Sequence, residues 1–198
     1  MTLPLPPSMD CARLPPHATL APSAWIERWC HLIAPGGRVL DVACGSGRHL
    51  ACLQDQGLKV LGVDRDTQVL KRLKTFGYNV FVADLEQGAW PFAPESLDAV
   101  VVTHYLWRPL WPDLKAVLRP HGVILYETFS TGHEVHGRPK NPDFLLRSGE
   151  LLEVFRDFHT IAFEEGFEPH PPRLVQRLVA QKPMDNANRP TSALRPLE

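Results

Sequence analysis

The sequence lacks an apolar run of roughly 18 residues or more, the length that a helix needs to cross a bilayer. Near the amino terminus, Pro4, Pro6 and Pro7 interrupt the apolar residues, and no basic segment precedes them. A secretion signal needs a basic segment followed by an unbroken apolar one, so we expect none. These absences predict a cytoplasmic protein that does not enter the membrane.

Cysteine is scarce, and its spacing excludes a structural metal site. None of the four cysteines belongs to a CxxC pair or to another spacing typical of metal ligands. We therefore predict no bound metal and, in a reducing compartment, thiols that are mostly buried. The four residues are Cys11, Cys30, Cys44 and Cys52.

Neither sign of charge is in excess, since the formal net charge is -1 over 198 residues. That balance argues against a protein that coats nucleic acid. With 44% hydrophobic residues, the chain is long and apolar enough for one domain with a substantial core. Residues 1–22 are rich in proline and predict a poorly ordered arm, and residues 182–198 predict a disordered tail. The domain is therefore expected over residues 23–181.

Strand-like and helical patterns alternate along this domain. Spacings of roughly twenty residues indicate right-handed βαβ crossovers, and apolar runs without strict alternation indicate strands covered on both faces. We predict an α/β fold with a Rossmann-like, doubly wound, mostly parallel seven-stranded sheet and a terminal antiparallel hairpin. The first five strands begin near Arg38, Lys59, Asn79, Asp98 and Gly122, and the hairpin strands are Thr160–Phe167 and Arg173–Gln181.

A glycine-bearing turn follows the first strand, and a helix is expected over 48–56. Such a turn exposes backbone amides at the rim of the sheet, where an anionic or zwitterionic group can bind. Asp64 and Asp84 end the second and third strands at the same edge. Ligands of doubly wound sheets bind at that edge, and an acid after the second strand can accept the hydrogens of a ribose diol.

A dinucleotide site is disfavoured, though it remains an alternative. The Gly-x-Gly-x-x-Gly pattern requires a third glycine, and Leu50 occupies that position. Neither Tyr105 nor Tyr126 is followed four residues later by lysine, and no phosphate-loop GKS/T triplet is present. A NAD(P)-dependent reductase is therefore the second hypothesis.

The segment Asp41-Val42-Ala43-Cys44-Gly45-Ser46-Gly47 resembles the first motif of class I S-adenosylmethionine-dependent methyltransferases. Ala43 replaces the first glycine, a change that we expect to leave the turn intact. The resemblance extends through Asp64, Asp84 and the turn 118–122, and covers about residues 24–181. In local detail it is similar to the small tellurite-resistance-like branch. It implies S-adenosyl-L-methionine as the cofactor and in-line methyl transfer to a small-molecule acceptor.

The resemblance also implies a set of site residues. Expected cofactor-binding residues are Asp41, Ala43, Cys44, Gly45, Gly47, Asp64, Arg65, Asp84, Leu85 and Thr103. The family has no universal catalytic residue, and the candidates are chosen by position: His104 and Tyr105 follow the fourth strand, and Glu127 is a carboxylate near the end of the fifth. If Gly47 passes close to the methionyl part of the cofactor, Gly47→Val should abolish binding and leave the fold cooperative. Cys44 is expected to line the cofactor pocket without covalent chemistry.

The sequence does not identify the methyl acceptor. The Asn/Asp-Pro-Pro-Tyr motif of amino-methylating enzymes is absent after Val102, which disfavours a nucleic-acid amine. A non-catalytic subunit with a methyltransferase-like fold is the third hypothesis, and the retained acid pair argues against it. The oligomeric state and the need for a general base are likewise open.

Two further expectations concern the end of the fifth strand. Glu127 lies on an apolar strand and must be paired if buried, so we predict an ion pair with Arg138 or Arg108, or a bond to the acceptor. Residues 130–149 are polar, lack periodicity and are longer than a usual connection. We predict that this loop closes over the acceptor as a lid.

Overall fold

The predicted alternation of strands and helices is present in the described part of the chain, residues 21–184 of a computed structural model. The strands are β1 (Arg38–Val42), β2 (Lys59–Asp64), β3 (Val80–Val82), β4 (Leu97–Thr103), β5 (Leu118–Phe129), β6 (His159–Pro169) and β7 (Pro172–Gln181). The helices are α1 (Ala24–Trp29), α2 (Leu50–Asp55), α3 (Thr67–Thr75), α4 (Trp111–Val117) and α5 (Glu150–Val154). Nearly all of the predicted arm and tail lies outside the described residues.

The seven strands form one sheet in the order β3-β2-β1-β4-β5-β7-β6. Strands β1 to β5 pair in parallel, and β7 lies antiparallel between β5 and β6. This confirms the predicted mostly parallel sheet and its terminal hairpin. The strand order reverses between β1 and β4, which is where a doubly wound sheet opens a ligand crevice at its carboxyl edge.

Helices cover both faces of the central strands, which explains why β1 and β4 are almost entirely apolar and buried. On one face, Ile26, Leu53 and Leu70 of α1, α2 and α3 are fully buried against β1 and β4. On the other face, Leu114 of α4 and Leu151 of α5 are buried against the same strands. The carboxyl edge of the sheet is therefore held by a core on each side.

Local capping fixes where two helices begin. The Ser23 hydroxyl accepts a hydrogen bond from the Trp25 amide at 3.2 Å, and Asp66 accepts from the amides of Gln68 and Val69. The helix predicted over 48–56 begins later, at Leu50, because residues 43–49 form the glycine turn. Among the described residues, no helix is long and apolar enough to span a membrane.

The loop over residues 130–149 is tied to the fold by its own backbone. It contains two 3-10 turns, His133–Val135 and Pro142–Phe144. The Thr131 amide donates to the Leu146 carbonyl at 2.9 Å, and Leu146 is fully buried. Arg108 also donates to the carbonyls of Asp143 and Leu145, at 2.6 and 2.9 Å. The loop is thus an ordered connection, and its closure over an acceptor stays a prediction.

Candidate active site

The turn after β1 is shaped by three residues with positive φ angles. Ala43, Gly45 and Gly47 have φ values of 51°, 51° and 76°. The left-handed region costs an L-residue about 1–2 kcal/mol, so Ala43 holds a conformation that glycine would adopt without strain. The turn keeps its form with alanine at this position, as expected.

Gly47 is required by the core, which changes the expected result of its substitution. A Cβ on Gly47 would lie 2.9 Å from the side chains of both Leu50 and Leu73, which are almost fully buried. A Cβ on Gly45 would meet nothing within 4 Å. Gly47→Val would therefore press on the side chains of Leu50 and Leu73 as well as on any ligand, and whether the fold stays cooperative remains a prediction.

Gly47→Ala is predicted to destabilise the protein by about 1–3 kcal/mol more than Gly45→Ala, because only Gly47→Ala overpacks the core. Both variants carry the cost of a positive φ, so the comparison cancels that cost. Urea unfolding of the two ligand-free variants measures the difference. Equal losses of unfolding free energy would show that Leu50 and Leu73 move aside without cost.

Cys44 contributes its backbone to the turn, while its side chain faces the core. A Cβ on Gly62 of β2 would lie 2.8 Å from the Cys44 sulfur, so the thiol packs directly on that strand. Burial, followed by the charges of Asp41 and Asp64, raises the pKa of this thiol. The Cys44 amide donates to the Val63 carbonyl, and Cys44 is not among the residues that line the cleft, so its predicted pocket-lining role stays a prediction.

The two acids that end β2 and β3 lie on the wall of one cleft. The cleft has a volume of about 220 Å³ and is also lined by Ala43, Arg65, Leu85, Glu86 and Tyr105. Asp64 accepts hydrogen bonds from the amides of Gly45 at 2.8 Å and Asp66 at 2.9 Å, one on each oxygen. Each oxygen keeps a second lone pair, so Asp64 can hold the turn and still accept from a diol.

Asp41 is a buried carboxylate without a hydrogen-bond donor. It is 1% exposed, and neither oxygen has a hydrogen-bond partner among the described residues. Nδ1 of His49 lies 3.6 Å from Oδ2, beyond hydrogen-bond distance, and His49 Nε2 accepts from the Ser23 amide at 3.2 Å. An unpaired buried carboxylate is costly, so this position beside the glycine turn suits a cationic ligand group.

The residues after β4 divide between two places. Tyr105 lies in the cleft with the two acids, and burial raises the pKa of its phenol. Thr103 is the buried last residue of β4. His104 has a φ of 54° and lies beside Glu127, with 3.7 Å between Nε2 and Oε1. Burial, followed by the charge of Arg48, lowers the pKa of His104 to about 4. The predicted catalytic residues therefore do not form one cluster.

Glu127 is ion-paired with an arginine that the sequence did not indicate. Its Oε2 accepts from Nε of Arg177 at 2.5 Å, because β7 aligns these two residues across the β5–β7 pair. The predicted partners are wrong. Arg108 pairs instead with Glu150 at 2.8 Å, and the Arg138 carbonyl lies 3.0 Å from Nε2 of His133.

Sequence reasoning missed two other arginines near His104. Nη1 of Arg173 lies 3.3 Å from His104 Nε2, and Nη2 of Arg48 lies 3.5 Å from His104 Nδ1. Arg48 directly follows the glycine motif, so its position in the sequence was a usable signal. Arg173 reaches the site through the hairpin register and had no such signal. Among residues 21–184, no group of histidines, cysteines and acids could hold a metal ion.

Comparison with known proteins agrees with this geometry. Residues 39–122 match a family described as a methyltransferase domain. The chain is 31% identical over 135 residues to a demethylmenaquinone methyltransferase of Renibacterium salmoninarum. The aligned region covers 62% of this chain and 56% of that relative. The chain thus spans little more than half the length of this relative.

Solved structures share the fold at low sequence identity. A methyltransferase of Methanosarcina mazei gives a TM-score of 0.66 at 16% identity, over 84% of this chain and all of that chain. TehB of Haemophilus influenzae gives a TM-score of 0.64 at 20% identity, over 77% of this chain and 59% of that chain. Likeness at this level shows the fold alone, and the tellurite-resistance-like branch stays a prediction.

The residues at the carboxyl edge fit the cofactor that such a family uses. Asp64 and Asp84 line the cleft, a Cβ on Gly45 would meet nothing within 4 Å, and the buried carboxylate of Asp41 has no hydrogen-bond partner among the described residues. The family match spans β1 to the start of β5, which are the strands that carry these residues. Residues 39–122 therefore match a methyltransferase-domain family over the same strands that form the cleft.

Proposed function

We propose that this protein transfers a methyl group from S-adenosylmethionine to a small-molecule acceptor. The observation that carries the proposal is the buried, donorless carboxylate of Asp41 beside a glycine turn whose neighbouring strands end in Asp64 and Asp84. An ammonium group would supply the missing donors to Asp41. A ribose diol would bind the free lone pairs of Asp64, and an adenine edge would meet Asp84 and Leu85.

When bound, the cofactor supplies a methyl group on a positively charged sulfur. The remaining task of the protein is to hold the acceptor in line with that methyl group and to exclude water. Tyr105 lies on the wall of the cleft, where its raised pKa keeps it a neutral phenol that can donate a hydrogen bond. Thr103 and the residues after β4 set the position of this wall.

The site offers no strong general base among the three candidate residues. Glu127 is engaged by Arg177, and His104, with a pKa of about 4, is a neutral but weak acceptor of protons. General bases work best with a pKa near the working pH. We therefore propose that His104 and Glu127 position the acceptor, and that the acceptor needs little or no deprotonation by the protein.

A small molecule is the acceptor class that we propose. The name of the Renibacterium salmoninarum relative supports that class, since demethylmenaquinone is a small molecule. We do not expect a nucleic-acid acceptor, because the chain has a formal net charge of -1. A cytoplasmic location is also part of this proposal.

Label transfer tests the proposed activity. Protein incubated with methyl-labelled S-adenosylmethionine and metabolite fractions should release labelled product into the small-molecule fraction. The matched control is Asp64→Ala, which removes the proposed diol contact and should reduce the transfer. Equal methyl transfer by the wild type and the Asp64→Ala variant would contradict the proposal. A wild-type protein that methylates none of the fractions would also contradict it.

A further inference from the structure

Two arginines converge on one histidine, directly after the end of β4. Arg48 follows the glycine turn, His104 follows β4, and Arg173 belongs to β7. The distances are 3.5 Å from Arg48 Nη2 to His104 Nδ1 and 3.3 Å from Arg173 Nη1 to His104 Nε2. We call these three residues the arginine–histidine cluster. Three separate segments of the chain thus meet here, and two of them bring a positive charge.

One imidazole cannot satisfy both arginines. A neutral imidazole has one nitrogen that accepts a hydrogen bond, and its other nitrogen carries a proton. His104 is neutral at pH 7, because its buried position disfavours the charged form. One guanidinium therefore donates to the ring, and the other faces a ring N–H. A charged donor without an acceptor remains in the cluster.

The ion pairs around the cluster leave Arg48 as the guanidinium that has no carboxylate partner within the described residues. Arg173 Nε donates to Glu168 at 2.5 Å, and Glu127 accepts from Arg177. No salt bridge within the described residues joins Arg48 to a carboxylate, and its Nη1 donates only weakly to the Ala21 carbonyl, at 3.4 Å. Burial lowers the pKa of Arg48, although a guanidinium stays charged in proteins.

Glu127 does not supply the missing partner to Arg48. Its Oε1 is buried and has no hydrogen-bond partner among the described residues, and it lies 3.7 Å from His104 Nε2 and 3.9 Å from Arg173 Nη1. It is thus on the Nε2 side of the ring, whereas Arg48 is on the Nδ1 side. Glu127 is also only 1% exposed, so it faces the cluster from the interior of the protein.

We propose that the arginine–histidine cluster binds a carboxylate of the methyl acceptor, with Arg48 as the main contact. A planar guanidinium donates two parallel hydrogen bonds to a carboxylate, which matches both its charge and its shape. The inference rests on the proposed methyl transfer and narrows it to organic acids. It assigns Arg48 and Arg173 to specificity for the acceptor.

The test uses benzoate as a simple organic carboxylate and benzamide as its uncharged counterpart. Each is titrated calorimetrically into the protein, both alone and saturated with S-adenosylhomocysteine. We expect benzoate to bind at least tenfold more tightly than benzamide, since hydrogen bonds between two charged groups are stronger than those to a neutral group. Benzoate that does not bind, or binds no better than benzamide, would overturn the inference.

Variants locate the binding to the cluster. Arg48→Gln should weaken benzoate binding at least tenfold, Arg48→Lys should weaken it less, and Arg156→Gln, which changes an exposed arginine, should leave it unchanged. Thermal melts establish whether each variant is folded. If Arg48→Gln does not fold, the benzoate affinity of Arg48→Lys provides the test. Benzoate affinity that is unchanged in the Arg48→Gln variant would contradict the assignment.

Affinity for S-adenosylhomocysteine separates this inference from the proposed function. It should change less than twofold in the Arg48 variants. A parallel loss of S-adenosylhomocysteine affinity would show that Arg48 serves the cofactor, which would overturn the acceptor role. If the wild type does not bind S-adenosylhomocysteine at all, the proposed function fails and the acceptor role fails with it, while benzoate binding to the protein alone still shows whether the cluster holds a carboxylate.

Discussion

Asp41→Asn is expected to stabilise the ligand-free protein and at the same time to weaken binding of S-adenosylhomocysteine. Asp41 is 1% exposed and has no hydrogen-bond donor within the described residues, so its charge is costly when no ligand is bound. Neutralising it should raise the free energy of unfolding by about 1 kcal/mol. Losing the contact to the ligand ammonium should reduce affinity by about 1.5–3 kcal/mol, or roughly 10- to 150-fold.

Urea unfolding and calorimetry measure the two effects of Asp41→Asn separately. Asp55→Asn changes an exposed carboxylate at the end of α2 and serves as the control, with both quantities expected to stay the same. The informative result is a gain in stability together with a loss of affinity, because substitution of a purely structural aspartate would lower the stability of the protein. Unchanged affinity in Asp41→Asn would remove Asp41 from the ligand site.

Acid should destabilise the wild-type protein through His104, and the loss should be absent in His104→Gln. Burial lowers the folded-state pKa of His104 to about 4, below its ordinary value of about 6.5. Between these values the unfolded chain takes up a proton that the folded protein does not bind. Stability is therefore lost as the pH falls from about 6.5 to 4, by roughly 3 kcal/mol when the whole interval is crossed.

The difference between the two pH profiles isolates His104 from the other titrating groups. Unfolding free energies of wild type and His104→Gln are measured at several values between pH 4 and 7. The wild-type curve should fall more steeply, and His159→Gln, which changes an exposed histidine of β6, should follow the wild type. Parallel curves for wild type and His104→Gln would mean that His104 is not held neutral by the fold.

The fold was predictable because its signals are local and repeated. Each apolar run marks a strand covered on both faces, and turn residues such as Gly57 and Gly77 separate the units. The acids at the ends of β2 and β3 also follow from local position, since parallel strands place their carboxyl ends at one edge. Asp64 and Asp84 accordingly lie in one cleft.

Side-chain pairs between neighbouring strands could not be predicted, because no local sequence pattern indicates the register of the hairpin strands. Glu127 is fifty residues from Arg177, and they pair only because β7 inserts antiparallel between β5 and β6. Charge alone favoured the nearer Arg108 and Arg138. The same limit hid Arg173 from the sequence reasoning.

The motif likewise does not indicate in which direction the side chains of the glycine turn point. A motif states that small residues are required, and it does not state which neighbour imposes the requirement. At Gly47 the neighbours are Leu50 and Leu73 of the core, and the Cys44 thiol faces Gly62. Gly45 is the glycine whose missing side chain leaves open space.

Calorimetric titration of S-adenosylhomocysteine and of NADPH into the wild-type protein tests the central claim most directly. The two ligands separate a methyltransferase site from a dinucleotide site on the same kind of sheet. The account predicts saturable one-to-one binding of S-adenosylhomocysteine, weakened in Asp64→Ala, and no heat of binding for NADPH. Binding of NADPH together with no response to S-adenosylhomocysteine would contradict it.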